Sequence, residues 1–211
     1  MFDDIGIVEV ALRNAISSEL ARMHGITWFD EWALFDDDRM ALIASAKVHT
    51  GFGKLQVDDE VKHGKLVASL MFGFWVKLLG KGSFQGVTSR SVAPVKRRVI
   101  YDTVLWRAGL HQGFAGAGEM ERSRVEKPAV IVKAIRNRVA HHESVIWGIP
   151  LPGQVDHDGA PRRLSVADSH RHVLDLAGLI DPDLGLWLAS NSCVPALIAE
   201  PPHCDVRSMR L

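Results

Sequence analysis

The sequence predicts an all-α protein folded as an irregular helical bundle, and three observations carry that expectation. Apolar residues recur at three- and four-residue spacings through most of the 211 residues. Helix-start and helix-stop residues bracket those runs in the right order. No period of 20 to 50 residues repeats and no low-complexity tract divides the chain, so residues 1–211 read as one domain. A hydrophobic content of 47% suits a protein of this length with a sizeable core.

Residues 4–24 place Ile5, Val8, Leu12, Ala15, Ile16 and Leu20 on one helical stripe, and Gly25 stands where that helix should stop. After a loop with Trp28 and Trp32, the triplet Asp36, Asp37 and Asp38 opens a second helix through about Val48, its acids complementing the dipole. A third helix is expected to start at Asp58 or Asp59 and to run unbroken to Gly80. It is apolar nearly all round after Leu66, which places it at the bundle's centre.

The stretch from Lys81 to Pro94 is rich in Gly and Ser and reads as a loop. Gly80, Gly82 and Gly86 match neither a dinucleotide fingerprint nor a Walker loop. Residues 95–107 are expected to form a short helix. Another should begin near Glu119 or just past Lys127, with Pro128 in its first turn, and continue to His142. Prolines, glycines and the turn signal Asp156-His157-Asp158-Gly159 predict a small hairpin or surface loop near 148–163. Three further helices are read from "SVADSHRHVLDLAGLI", "PDLGLWLASN" and "CVPALIAE". Trp75, Trp106 and Trp187 fall within apolar helical runs and are expected in the core.

The first residues carry acids where a secretory signal carries bases, and "LVASLMFGFWVKLL" is shorter than the roughly 20 residues a membrane span needs. These features predict a cytoplasmic protein with no membrane association. Cys193 and Cys204 have no paired spacing, so neither a disulfide framework nor a zinc ribbon is expected. Formal net charge is zero, yet residues 88–138 hold eleven Lys or Arg against four Asp or Glu, while residues 1–60 hold five against twelve. The plain reading of this asymmetry is a pair of solvated faces that attract one another.

Basic charge culminates in "RNRVAHHESVIW", residues 136–147. His can move protons near neutral pH, Arg can fork a phosphate, and Asn can orient either. Arg136, Asn137 and His141 are therefore the parts of a metal-free RNA cleavage site: the 2′-hydroxyl attacks its own phosphate, His141 moves the proton and Arg136 stabilises the pentavalent phosphorus. Asn137 and His141 share a helical face, as do Arg138 and His142. Arg136 and His141 lie about 140° apart on the wheel, so they meet only if Arg136 curls round the helix end or a second copy completes the cleft. The structural alternative is that these cations complement the helix dipole, with Glu143 pairing Arg138 or Arg136.

"RNRVAHHE" resembles the Arg-Asn-x-x-Ala-His-x-Glu signature of the Abi-like (abortive infection) family, within the HEPN superfamily of all-α ribonucleases and RNA-binding domains. "VEVALRNAISSELARMHGITWFDE", "LMFGFWVKLL" and "LWLASNSCVPALIAEPP" resemble that family's first helix, central helix and ending, in the same order. The resemblance implies a HEPN-type bundle and a homodimer with a composite cleft. It also implies metal-independent endoribonuclease activity in phage defence or as a toxin, with RNA as substrate and an antitoxin or noncoding RNA as a further partner. Cofactors are not expected. Arg13 and Asn14 match the family's Arg-Asn pair in the first helix and are expected to support the motif with Arg138, His142 and Glu143. Some relatives are modified on a Tyr two positions past the motif His, where this chain has Glu143; others have lost catalysis and only bind RNA or a partner protein. A structural helical domain with no nucleic-acid role is a third reading.

Lys96, Arg97 and Arg98 could track an RNA backbone, because phosphate contact needs only cationic side chains. Asp168 and His172, one helical turn apart, and the neighbours His203 and Cys204 lack any recognised zinc spacing, so no metal is expected.

Overall fold

The computed structural model describes residues 1–55, 57–87, 95–118, 121–145 and 147–200, and the chain folds mostly into helices with two small antiparallel sheets. Helix α1 spans Phe2–His24 and buries Ile5, Val8, Leu12, Ile16 and Leu20, the stripe read from the sequence; Gly25 follows its last turn. Two short 3-10 turns carry Trp28 and Phe29 into the core. Helix α2, Asp37–His49, is capped by the Asp36 carboxylate, which accepts from the Arg39 backbone N–H at 3.0 Å.

The single helix expected over 58–80 is two, α3 (Asp59–Ser69) and α4 (Phe72–Leu78). Leu70 and Met71 are extended between them, and the Leu70 carbonyl, turned out of the helical ladder, accepts from the Trp75 indole N–H at 3.2 Å. A straight rod could not bury Leu66, Leu70, Phe72, Phe74, Trp75, Val76 and Leu78 together. The break folds the second half inward, where Trp75 meets Trp28 and Phe74 edge-on.

The helix expected at 95–107 is also corrected. Strand β1 (Phe84–Val87) pairs with β2 (Val95–Arg98) in the register Phe84↔Arg98, and the intervening residues 88–94 lie outside the described part. Arg97 and Val99 point inward while Lys96 and Arg98 are exposed, which is the period of a strand. Asp102–Trp106 then forms one π-helical turn.

Helix α5, Arg122–Ala140, starts close to the earlier of the two expected positions and not past Lys127, so Pro128 lies in its interior and not in its first turn. An interior proline costs about 3 kcal/mol. Against it, Val125, Ala129, Val132 and Ile135 are fully buried, and each larger apolar side chain contributes about 1.5–3 kcal/mol. Burial wins. The hairpin expected near 148–163 is present as β3 (Ile149–Val155) and β4 (Pro161–Leu164).

Helices α6 (Val166–Ile180), α7 (Pro182–Asn191) and α8 (Val194–Ala199) close the fold, with Ser165 and Asp181 as side-chain caps. Trp187 is 52% exposed, contrary to expectation: α7 approaches α6 closely at Gly185 and Gly178 and buries Leu188, while Leu186 and Trp187 stay outward. Among the described residues no helix is long and apolar enough to cross a membrane.

Two contacts generate tests. A Cβ at Gly185 would sit 2.7 Å from the Gly178 Cα, so Gly185→Ala should destabilise the protein by about 1–3 kcal/mol in urea unfolding, against a gain of up to about 1 kcal/mol for Gly64→Ala, which lies mid-helix with open space. His63 and His170 are held below the ordinary imidazole range by burial. Their unfolded forms bind protons at higher pH than the folded forms, so stability should be full above about pH 6.5 and fall as pH drops below it. Melting temperature against pH checks this, and His63→Gln should flatten the slope.

Candidate functional site at the end of helix α5

The buried stripe of α5 dictates what its other side chains face. With Val132 and Ile135 inward, Arg136 turns toward α1, where its Nε donates to the Glu9 carboxylate at 3.2 Å. Asn137 is exposed, and His141, four residues on, is exposed at the C-cap. Arg138 reaches instead to Glu143, its Nη2 3.0 Å from the carboxylate.

The helix ends in a Schellman arrangement. The Glu143 N–H donates to the Arg138 carbonyl and the His142 N–H to the Val139 carbonyl, with His142 at φ 55°. Glycine usually fills that left-handed position, and a side chain there costs about 1–2 kcal/mol. This turn sets two adjacent imidazoles outside the last turn of the helix, both in solvent.

Arg136 and His141 are not hydrogen-bonded to each other among the described residues, so the Arg side chain does not curl round the helix end. Glu9 engages only Nε. An arginine has five N–H donors in a fork, so the terminal nitrogens of Arg136, whose side chain is 35% exposed, are left to face an anion. Glu9 was not singled out from the sequence. Its one signal is that it lies one turn before Arg13 on α1, and pairing across 127 positions depends on the packing of two helices.

Arg13 and Asn14 do not bond to the motif among the described residues. They line a small recess between α1 and α3 with Ser17, Ser18 and His63. His63 Nε2 accepts from the Trp28 indole N–H at 3.1 Å, with the Ser17 hydroxyl 3.3 Å away. An indole can only donate, so the neutral ring carries its proton on Nδ1. Of the basic triplet, Lys96 and Arg98 are exposed, but Arg97 is engaged: it donates to the Ala33 carbonyl and Gln85 and lies over the Trp32 ring.

Asp168 takes a hydrogen bond from the Ser165 hydroxyl and pairs with Arg171, while His203 and Cys204 lie outside the described residues. Asp156, His157 and Asp158 cluster at the exposed hairpin tip, where Asp156 accepts from the backbone of Asp158 and Ala160 to close the turn. No family model, curated protein or solved structure was found to match the chain.

Replacing His142 by Gly should relieve the left-handed side chain and stabilise the protein by up to about 1 kcal/mol. Denaturant midpoints of wild type and variant measure it, and a loss of stability would contradict the terminal geometry.

Proposed function

We propose that this protein is a metal-independent endoribonuclease of the Abi-like HEPN type, working as a homodimer. The observation that carries the reading is the end of α5, where a solvent-facing His141 and Asn137 stand beside an Arg136 gripped by one edge only. In the reaction the ribose 2′-oxygen bonds to the adjacent phosphorus as its proton passes to one His141. The bond from phosphorus to the 5′-oxygen breaks as that oxygen takes a proton from the second His141, leaving a 2′,3′-cyclic phosphate and a 5′-hydroxyl. The Arg136 fork neutralises the extra charge on the phosphate, and Asn137 holds substrate or imidazole in line. One imidazole cannot give and take at once, and the 140° between Arg136 and His141 keeps them from closing on one phosphate within a chain. Two copies meet both demands. The resemblance at residues 136–143 supports a role for such an enzyme in phage defence or as a toxin, with an antitoxin or noncoding RNA as its restraining partner.

The Glu9 pairing favours one second reading, a non-catalytic HEPN module that binds RNA or a partner protein, since a carboxylate beside Arg136 competes with a phosphate.

Labelled single-stranded and structured RNAs, incubated with EDTA, separate the two. The nuclease gives cyclic-phosphate ends, and His141→Ala and Arg136→Ala each slow cleavage by about 100-fold or more with melting temperatures unchanged. Binding without products in the wild type would establish the module, and cleavage unaffected by both substitutions would remove the motif from the active site.

A further inference from the structure

A recess of about 370 Å³ opens between α2, α4, the Gly80–Ser83 turn and α5. Its charged lining is Asp36, Asp38, Arg39, Lys77, Lys81, Glu126 and Lys133. Each of the three carboxylates is ion-paired with an arginine, two with Arg39 inside the recess and one with Arg122 beside it. Asp36 lies 2.9 Å and Asp38 2.7 Å from the Arg39 guanidinium, and Glu126 pairs with Arg122 at 2.6 Å. Among the described residues none of the three lysines has an ion pair. The Lys133 stem passes Gly73 of α4, where a Cβ would come 3.9 Å from its Cδ, and its amine shares the recess with Lys77 one turn further along. Burial and the Lys77 charge both hold the Lys133 amine below the ordinary lysine range. Like charges gathered with no ion pair of their own are unfavourable, and a bound anion reduces the repulsion.

The recess adjoins the motif. Lys133, Asn137 and His141 follow one another at four-residue spacing on a single face of α5, about 12 Å from first to last. We propose that Lys77, Lys81 and Lys133 form a phosphate-binding subsite that holds the RNA strand alongside the Asn137–His141 face. The proposal rests on the ribonuclease reading for its ligand, and on the lysines alone for its anion chemistry. Because the contact is to phosphate, it adds affinity without base preference.

The test uses the full chain carrying His141→Ala, so that RNA stays intact, and a short labelled single-stranded oligoribonucleotide titrated over a range of salt. Each phosphate contact contributes about 0.7 to the slope of log affinity against log salt for single strands. Lys77→Met with Lys133→Met should therefore flatten the slope by about 1.4; methionine keeps the apolar stem against Gly73, and melting temperature verifies the fold. In parallel, the NMR titration of the Lys133 ε-methylene is followed with sodium pyrophosphate as probe. Pyrophosphate should raise its pKa, and Lys77→Met alone should raise it without any ligand. An unchanged salt slope in the double variant overturns the subsite and leaves the ribonuclease reading standing. Pyrophosphate binding with no RNA binding in the wild type keeps the anion site and removes the ribonuclease reading. No response to either probe overturns both.

Discussion

Everything at the candidate site depends on the burial of one stripe of α5. Val125, Ala129, Val132 and Ile135 are sealed against neighbouring helices and β3, strongly enough to carry the helix through a proline. Once that stripe is fixed, the rotation of the helix is fixed with it. Arg136 must turn to α1, Asn137 must face solvent and Lys133 must turn to α4. The motif has no freedom to choose its neighbours. Its chemistry follows from the core on the helix's other side, so a cavity at Ile135 would disturb Arg136 as surely as a change in Glu9.

Much of the fold was legible because most helices carry both an apolar stripe and an end signal. α1 has its stripe and Gly25, α2 has Asp36, α6 has Ser165, and α7 has Asp181 followed by Pro182. The errors fall where local pattern and tertiary packing disagree. The run from Leu66 to Leu79 looks like one helix because every residue but Ser69 and Lys77 is apolar or glycine, and periodicity cannot reveal a break when nearly all faces are alike. Only the Trp75 indole, reaching back to the Leu70 carbonyl, explains where the bend falls. β2 is not legible as a strand because four residues are too few to show a period. The alternation of engaged Arg97 with exposed Lys96 and Arg98 becomes meaningful only beside its partner strand.

The site divides the same way. Residues 136–143 were readable because they are contiguous on one helix end, where spacing decides which side chains share a face. Glu9, His63 and the lysines of the recess were not, since each acquires its role from an element distant in sequence. The expected support from Arg13 and Asn14 shows the limit of carrying positions over by resemblance. They lie on α1, as Glu9 does, but line the recess toward α3, and it is Glu9 that touches the motif.

Net charge is a poor guide to where an anion can bind here, and the pairing pattern shows why. The acidic surplus of residues 1–60 is not all free to act on the basic segment from a distance. Part of it is consumed locally: Asp36 and Asp38 hold Arg39, and Glu9 holds one edge of Arg136. Arginine takes these carboxylates because its planar fork fits them, whereas the lysines in the same recess are left unpaired. The result is a chain of zero formal charge in which Lys77 of α4 and Lys133 of α5 have no ion pair among the described residues. With no net charge, steering of a polyanion from solution by the overall charge is weak. Short-range capture is not weakened in the same proportion, because within a Debye length of about 8–10 Å the lysines, and not the sum over the molecule, determine what a phosphate feels.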